Sequence, residues 1–281
     1  MHIFNNKVDL NKYLFTVCTT NTTIGFVPTM GALHNGHLSL LEKSIKNNSF
    51  TVISIFVNPT QFNNQEDLAK YPRTLDNDIL KIKTISNDVI IYTPSVIDIY
   101  GNNTKSIHYN YDGLENKMEG KFRPGHFDGV GTVVSKLFEI IKPTNAYFGE
   151  KDFQQLQIVK KLVKKLNFPI NVIGCEIFRE PNGLAMSSRN ERLSIEARNE
   201  ASIIYQTLVT AQKLFGTKTA KQVVDFVNET FANNSNFKLE YFEIANQETL
   251  ITCKRKVNNN KYRAFIAVFV NNIRLIDTIA L

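Results

Sequence analysis

Five short apolar, β-branched runs at 22–28, 51–57, 88–92, 144–148 and 170–175 alternate with longer stretches of helical period, including 37–47, 127–141 and 153–166. A strand that is apolar on both faces has to be covered on both, and strands separated by helices are joined by crossovers. The pattern therefore predicts an α/β fold built on a doubly wound parallel sheet. From about residue 190 it changes to two helical segments, 191–214 and 219–232, followed by alternating runs near 238–245, 263–270 and 272–279. That order predicts a smaller C-terminal α+β module, with the change-over between 176 and 190. A chain of 281 residues has room for one medium and one small domain, which we place at 1–180 and 181–281.

Composition narrows the setting. Three cysteines, Cys18, Cys175 and Cys253, form no pairing pattern and fit a reducing compartment, which points to the cytoplasm. Met1 to Lys7 lack a basic stretch leading into an apolar core, and no run of about 18 apolar residues occurs, so neither secretion nor a membrane span is expected. With 33 basic against 26 acidic residues the net charge is +7, compatible with an anionic small substrate or with nucleic acid. The densest basic cluster, Lys160-Lys161 with Lys164-Lys165, falls on one side of a helix and reads as a solvated face. Asn258-Asn259-Asn260 reads as a hairpin tip.

Open parallel sheets bind ligands beyond the carboxyl ends of their strands. The first run ends in Pro28-Thr29-Met30-Gly31-Ala32-Leu33-His34-Asn35-Gly36-His37, two histidines three apart where a strand turns into a helix. Amides at a helix start and the macrodipole attract phosphates, and a histidine there can meet charge that develops in a reaction. The same pair also reads as two surface residues or as part of a zinc site. Zinc wants three or four protein ligands, however, and the remaining His2, His108, His126 and the cysteines show no such spacing.

Three further clusters follow. In Asn58-Pro59-Thr60-Gln61-Phe62 neutral amides flank an aromatic, with Pro59 ending the strand; the alternative is a turn capped by Asn58 with Gln61 exposed. In Gly149-Glu150-Lys151-Asp152-Phe153-Gln154-Gln155, Lys151 can offset phosphate charge and Asp152 can accept from ribose hydroxyls, or else Asp152 is a helix cap and Lys151 a solvated charge. Met186-Ser187-Ser188-Arg189, small hydroxyls and a cation at the expected boundary, suits a phosphate-gripping loop that closes over a ligand. Between these lies a bend at Pro124-Gly125, whose neighbours Arg123 and His126 either reach the pocket or only shape a turn.

The ordered set P-T-M-G-A-L-H-N-G-H, S-I-F-V-N-P-T-Q-F, Y-P-R-T-L-D-N-D, R-P-G-H-F, Y-F-G-E-K-D-F-Q-Q and M-S-S-R-N spans essentially the whole chain and resembles the pantothenate synthetase family. The resemblance implies a Rossmann-like sheet with a C-terminal lid domain. It implies a homodimeric, cytoplasmic, Mg²⁺-dependent ligase that joins (R)-pantoate to β-alanine with ATP through a pantoyl adenylate, releasing AMP and pyrophosphate, on the route to coenzyme A. It implies neither nucleic acid nor a membrane as partner.

Carried onto matching positions, the resemblance puts Met30, Gly31, Ala32, Leu33, His34, Asn35, Gly36 and His37 on ATP, with His37 as proton donor, and His34 and Lys151 beside it in catalysis. Gly149, Glu150, Lys151, Asp152, Phe178, Met186, Ser187, Ser188 and Arg189 contact the nucleotide. Gln61, Gln155 and Asn58 hold pantoate, Gln61 also meets β-alanine, and Asp78 is a metal-linked carboxylate. Phe178 stands where the family often has valine, which is tolerated if that contact is made by the backbone and alters adenine fit if by the side chain. Other readings are a nucleotidyltransferase that keeps the nucleotidyl group on its product, a truncated aminoacyl-tRNA synthetase, or a nucleotide sensor without chemistry.

Overall fold

In the computed structural model, which describes residues 1–281, the chain forms two units: Met1–Gly149 with Gln155–Cys175, and Glu150–Gln154 with Glu176–Leu281. The first unit carries β1 (His2–Phe4), α1 (Lys7–Val17), β2 (Ile24–Thr29), α2 (Asn35–Asn47), β3 (Phe50–Ile55), α3 (Gln65–Ala69) and α4 (Leu75–Ile85). It continues through β4 (Ile90–Tyr92), α5 (Val96–Tyr100), α6 (Met118–Phe122), α7 (His126–Ile141), β5 (Asn145–Gly149), most of α8 (Phe153–Lys165) and β6 (Asn171–Cys175). The six strands run in the order β1-β4-β3-β2-β5-β6 and every neighbouring pair is parallel, as the alternating pattern requires. Val27, Leu33, Leu41, Ile53, Ile82, Ile91 and Tyr147 form one buried cluster between sheet and helices, joined by Cys175. Each such side chain contributes roughly 1.5–3 kcal/mol by leaving water.

The order of the strands fixes where a ligand can enter. From β2 the chain steps to β3 and β4 on one side, then crosses back to β5 on the other, so the sheet's switch point lies between β2 and β5. Those two strands pair only at Gly25–Asn145 and Phe26–Ala146, whereas β2 stays paired to β3 as far as Thr29–Ile55. Pro28 has no N–H to offer, so β2 and β5 part at their carboxyl ends and leave a crevice.

The second unit contains α9 (Ile195–Glu200), α10 (Ser202–Phe215), α11 (Ala220–Ala232) and an antiparallel sheet of β7 (Phe237–Asn246), β8 (Tyr262–Val270) and β9 (Ile273–Ala280). Ile204, Leu208, Val223 and Val227 from the helices bury against Ile266 and Val268 of β8. The helical stretch expected over 191–214 is interrupted: residues 188–192 form a 3₁₀ turn, and Ser194 then caps α9 through its hydroxyl on Ala197 N–H. The expected tip at Asn258-Asn259-Asn260 is a turn inside the longer connection from β7 to β8, with Asn259 at φ 69°. The tight hairpin tip is Asn271-Asn272, both at positive φ (46° and 65°), the geometry of a two-residue type I′ turn. No helix is long and apolar enough to cross a membrane.

Candidate active site

The segment between β2 and α2 is built to hold two imidazoles in fixed orientation. Gly31 and Ala32 adopt left-handed conformations (φ 80° and 49°), which for alanine is unfavourable by roughly 1–2 kcal/mol. A fully buried carboxylate clamps them: Asp78 of α4 accepts hydrogen bonds from the N–H of Ala32 (3.0 Å) and Leu33 (2.7 Å) and from Thr74 Oγ1 (3.3 Å). One turn further along α4, Lys81 Nζ donates to Leu33 O at 2.6 Å. A Cβ at residue 31 would sit 3.0 Å from Asp78 Oδ2 and 3.1 Å from Ile55 Cγ2, so only glycine leaves this clamp undisturbed.

At the start of α2 each histidine caps the other's backbone. His34 Nδ1 accepts the N–H of Gly36 (3.1 Å), and His37 Nδ1 accepts the N–H of His34 (3.3 Å), a capping box made from imidazoles. A ring nitrogen that accepts an N–H carries no proton, so in both neutral histidines the proton sits on Nε2. The ring centroids are 4.0 Å apart. This changes the expectation that exposed helix-start amides take the anion. The amides of Ala32, Leu33, His34 and Gly36 are engaged by Asp78, His37 and His34.

Next to this loop, at the end of β3, a 3₁₀ turn (Pro59–Gln61) carries Gln61. Gln61 Nε2 donates to Met30 Sδ at 3.0 Å, tying the two loops together. Asn58, 1% exposed, gives both amide protons to Gln61 Oε1 (3.0 Å) and Gly129 O (3.1 Å), while its Oδ1 accepts from Tyr100 OH (2.5 Å) and Thr60 Oγ1 (3.1 Å). Asn58, expected to contact pantoate, thus ties Gln61 to Gly129, Tyr100 and Thr60. α7 can approach this turn because residue 129 is glycine, where a Cβ would fall 2.3 Å from Thr60 O. His126 Nδ1 lies 2.9 Å from Gln61 O and Arg123 Nη1 lies 3.2 Å from His126 Nε2, so the R-P-G-H bend braces the same turn. Gln155 lies half-buried in the first turn of α8.

Of the other expected nucleotide contacts, Gly149 ends β5 in the first unit, whereas in the second unit Glu150, Lys151 and Asp152 form one 3₁₀ turn and Ser188 and Arg189 begin another, both packed against β9. Lys151 Nζ is 3.7 Å from Asp152 Oδ2. Ser187 caps the second turn by accepting Arg189 N–H at 3.3 Å, and Met186 N–H donates to Phe178 O. Phe178 itself is 41% exposed. Behind these turns stand ion pairs that sequence reasoning missed. Arg198 forks onto both oxygens of Glu180 (2.8 and 2.9 Å), which also accepts from Asn190 Nδ2, and the carboxylate pushes the arginine's pKa further up. Arg179 forks onto Asp277 of β9 (2.7 and 3.0 Å) and stacks on the Tyr205 ring at 3.8 Å. Burial pushes the Asp277 carboxyl up, and Arg179 opposes it. The signal that could have revealed the second pair is Asp277, an acid among apolar residues in I-R-L-I-D-T-I-A.

A protein-held divalent cation does not fit this donor set. No group of three or more His, Cys, Asp or Glu side chains could hold a metal, and both oxygens of Asp78 are taken by backbone N–H groups. Asp78, expected as a metal-linked carboxylate, braces the Gly31–Leu33 turn.

A family model described as pantoate-beta-alanine ligase matches residues 2–280. A pantothenate synthetase of Flavobacterium psychrophilum is 62% identical over 281 residues, covering 100% of both chains. Among solved structures, pantothenate synthetase from Thermus thermophilus superposes with a TM-score of 0.89 at 35% identity, covering 99% of each chain. Pantoate-beta-alanine ligase from Francisella tularensis, complexed with beta-gamma ATP and beta-alanine, superposes with a TM-score of 0.80 at 37% identity, covering 100% of this chain and 97% of that one.

Proposed function

Since the chain belongs to the pantoate-beta-alanine ligase family, we propose that it forms pantothenate by activating (R)-pantoate with ATP as pantoyl adenylate and then transferring the pantoyl group to β-alanine. The observation that carries this reading is the pair of imidazoles, each with Nδ1 turned to a backbone N–H, side by side at the crevice where β2 parts from β5.

A carboxylate oxygen is a poor leaving group, so an amine cannot displace it directly. In the first step a pantoate carboxylate oxygen attacks the α-phosphorus in line with the departing pyrophosphate, and the bond from the α-phosphorus to the α–β bridging oxygen breaks, its electron pair leaving on the pyrophosphate oxygen. The protein's tasks are alignment and dispersal of negative charge. His34 donates Nε2–H to phosphate oxygen, His37 supplies a proton as charge builds on the leaving group, and Lys151, Ser187, Ser188 and Arg189 share the remaining phosphate charge. Gln61 and Gln155 orient pantoate by neutral amides, which leave its carboxylate nucleophilic in a way that a bound cation would not. In the second step the neutral amine of β-alanine attacks the acyl carbon, the C–O bond to AMP breaks, and the amine proton is lost to solvent. Mg²⁺ is read as part of the nucleotide substrate, carried on the phosphates, and no step rests on it.

Pantoate-dependent exchange of label between pyrophosphate and ATP, without β-alanine, tests this reading. Exchange is expected with pantoate alone. Exchange driven by an amino acid would make the chain a synthetase relative, and nucleotide binding without exchange would make it a sensor. We also infer a homodimer, for which sedimentation should give a species of twice the chain mass.

A further inference from the structure

The second unit buries a guanidinium that no step above uses. Arg263, the second residue of β8, is 6% exposed. Its Nη2 donates to Glu150 Oε2 at 2.8 Å, across 113 residues of chain. Its Cζ lies 4.1 Å from the centre of the Phe153 ring, which in turn meets the ring of Phe265 at 6.0 Å. Arg263 Nε is buried without a hydrogen-bond partner, and burial lowers the guanidinium's pKa against the pull of Glu150. For stability alone, an apolar side chain at this point of Y-R-A-F-I-A-V-F-V serves as well or better. What the arginine adds is a simultaneous grip on the two residues that flank Lys151 and Asp152. A guanidinium can present its edge to a carboxylate and its face to a ring at once, which an ammonium cannot.

We propose that Arg263 is a positioning residue for Lys151. By pinning Glu150 and Phe153 to the sheet of the second unit, it fixes the turn from which Lys151 reaches the nucleotide phosphates. Lysine carries its charge on a flexible stem, so the placement of its backbone is what the fold can control. The inference rests on the role given to Lys151 above.

The test is a double-mutant cycle on pantoate-dependent exchange, using the parent, Arg263→Lys, Lys151→Ala and the double variant. Arg263→Lys should lower kcat/KM for ATP roughly tenfold, as a misplaced catalytic group does, and leave KM for pantoate unchanged. In the Lys151→Ala background it should have no further effect, because its influence runs through Lys151. Losses that multiply in the double variant, or equal changes in KM for both substrates, would overturn the proposal. Should Arg263→Lys fail to fold, as judged by circular dichroism, Glu150→Gln takes its place. That variant keeps the shape and an oxygen acceptor, and should give roughly a threefold loss with the same lack of additivity. If Lys151→Ala exchanges at the parental rate, the role given to Lys151 falls and this inference with it, whereas a parent that shows no pantoate-dependent exchange would overturn the functional reading itself. If exchange needs Lys151 but ignores both Arg263→Lys and Glu150→Gln, the positioning role alone falls.

Discussion

In the first unit, the loops bearing His34, His37 and Gln61 are held mainly by bonds between neutral side chains and backbone, with Asp78 as the one buried carboxylate among them. In the second, the turns bearing Lys151 and Arg189 are backed by arginine–carboxylate pairs: Arg263–Glu150, Arg198–Glu180 and Arg179–Asp277. The energetic consequences differ. Deleting a neutral hydrogen bond costs about 0.5–1.5 kcal/mol, whereas removing one partner of a buried ion pair strands the other charge and costs about 3–5 kcal/mol. Substitutions in the first unit should therefore separate function from stability, and those behind the turns of the second should couple them.

The largest effect expected is on stability. Asp277→Ala removes a 4% exposed carboxylate, leaves the Arg179 guanidinium without it and should destabilise the protein by about 3–5 kcal/mol in urea unfolding. A loss under about 1 kcal/mol would erase the contrast between the units. Next comes His37→Ala, expected to slow pyrophosphate exchange by ~10²-fold or more, with a melting temperature within a few degrees of the parent. Exchange within a few-fold of the parent would remove the imidazole from the chemistry. Gln155→Ala should raise KM for pantoate about tenfold and leave that for ATP nearly unchanged, because it removes hydrogen bonds to one substrate. Equal changes would count against the assignment. Smallest is Phe178→Val, which should shift stability by no more than about 0.5 kcal/mol at so exposed a position. A change in KM for ATP in that variant would mean that the side chain, and not the backbone, meets adenine.

The legible parts of the molecule are those written locally. Continuous apolar runs announced the buried parallel strands, and alternation announced the edge strands β7 and β9, whereas the central β8 is buried along nearly its whole length and does not alternate. β1, with three residues at the edge of the sheet, and the five-residue helices α3, α5 and α6 are too short to build a period. The site residues stood out as motifs, but their partners did not. Whether Asp78 faces a metal or the backbone of Ala32 and Leu33 depends on how α4 meets a loop 45 residues earlier, and the grip of Arg263 on Glu150 spans 113 residues. Asn58 was legible as a site residue and illegible as a saturated one, since Tyr100 and Gly129 reach it only through the folded chain.

The route of the carboxylate oxygen is the central claim, and isotopic labelling follows it directly. With pantoate labelled by ¹⁸O in both carboxylate oxygens, attack on the α-phosphorus places one labelled oxygen in the AMP released when β-alanine displaces it. Mass spectrometry of the products should find AMP carrying a single ¹⁸O and pyrophosphate carrying none. Label in orthophosphate with release of ADP would mean that an acyl phosphate forms instead, and would contradict the account.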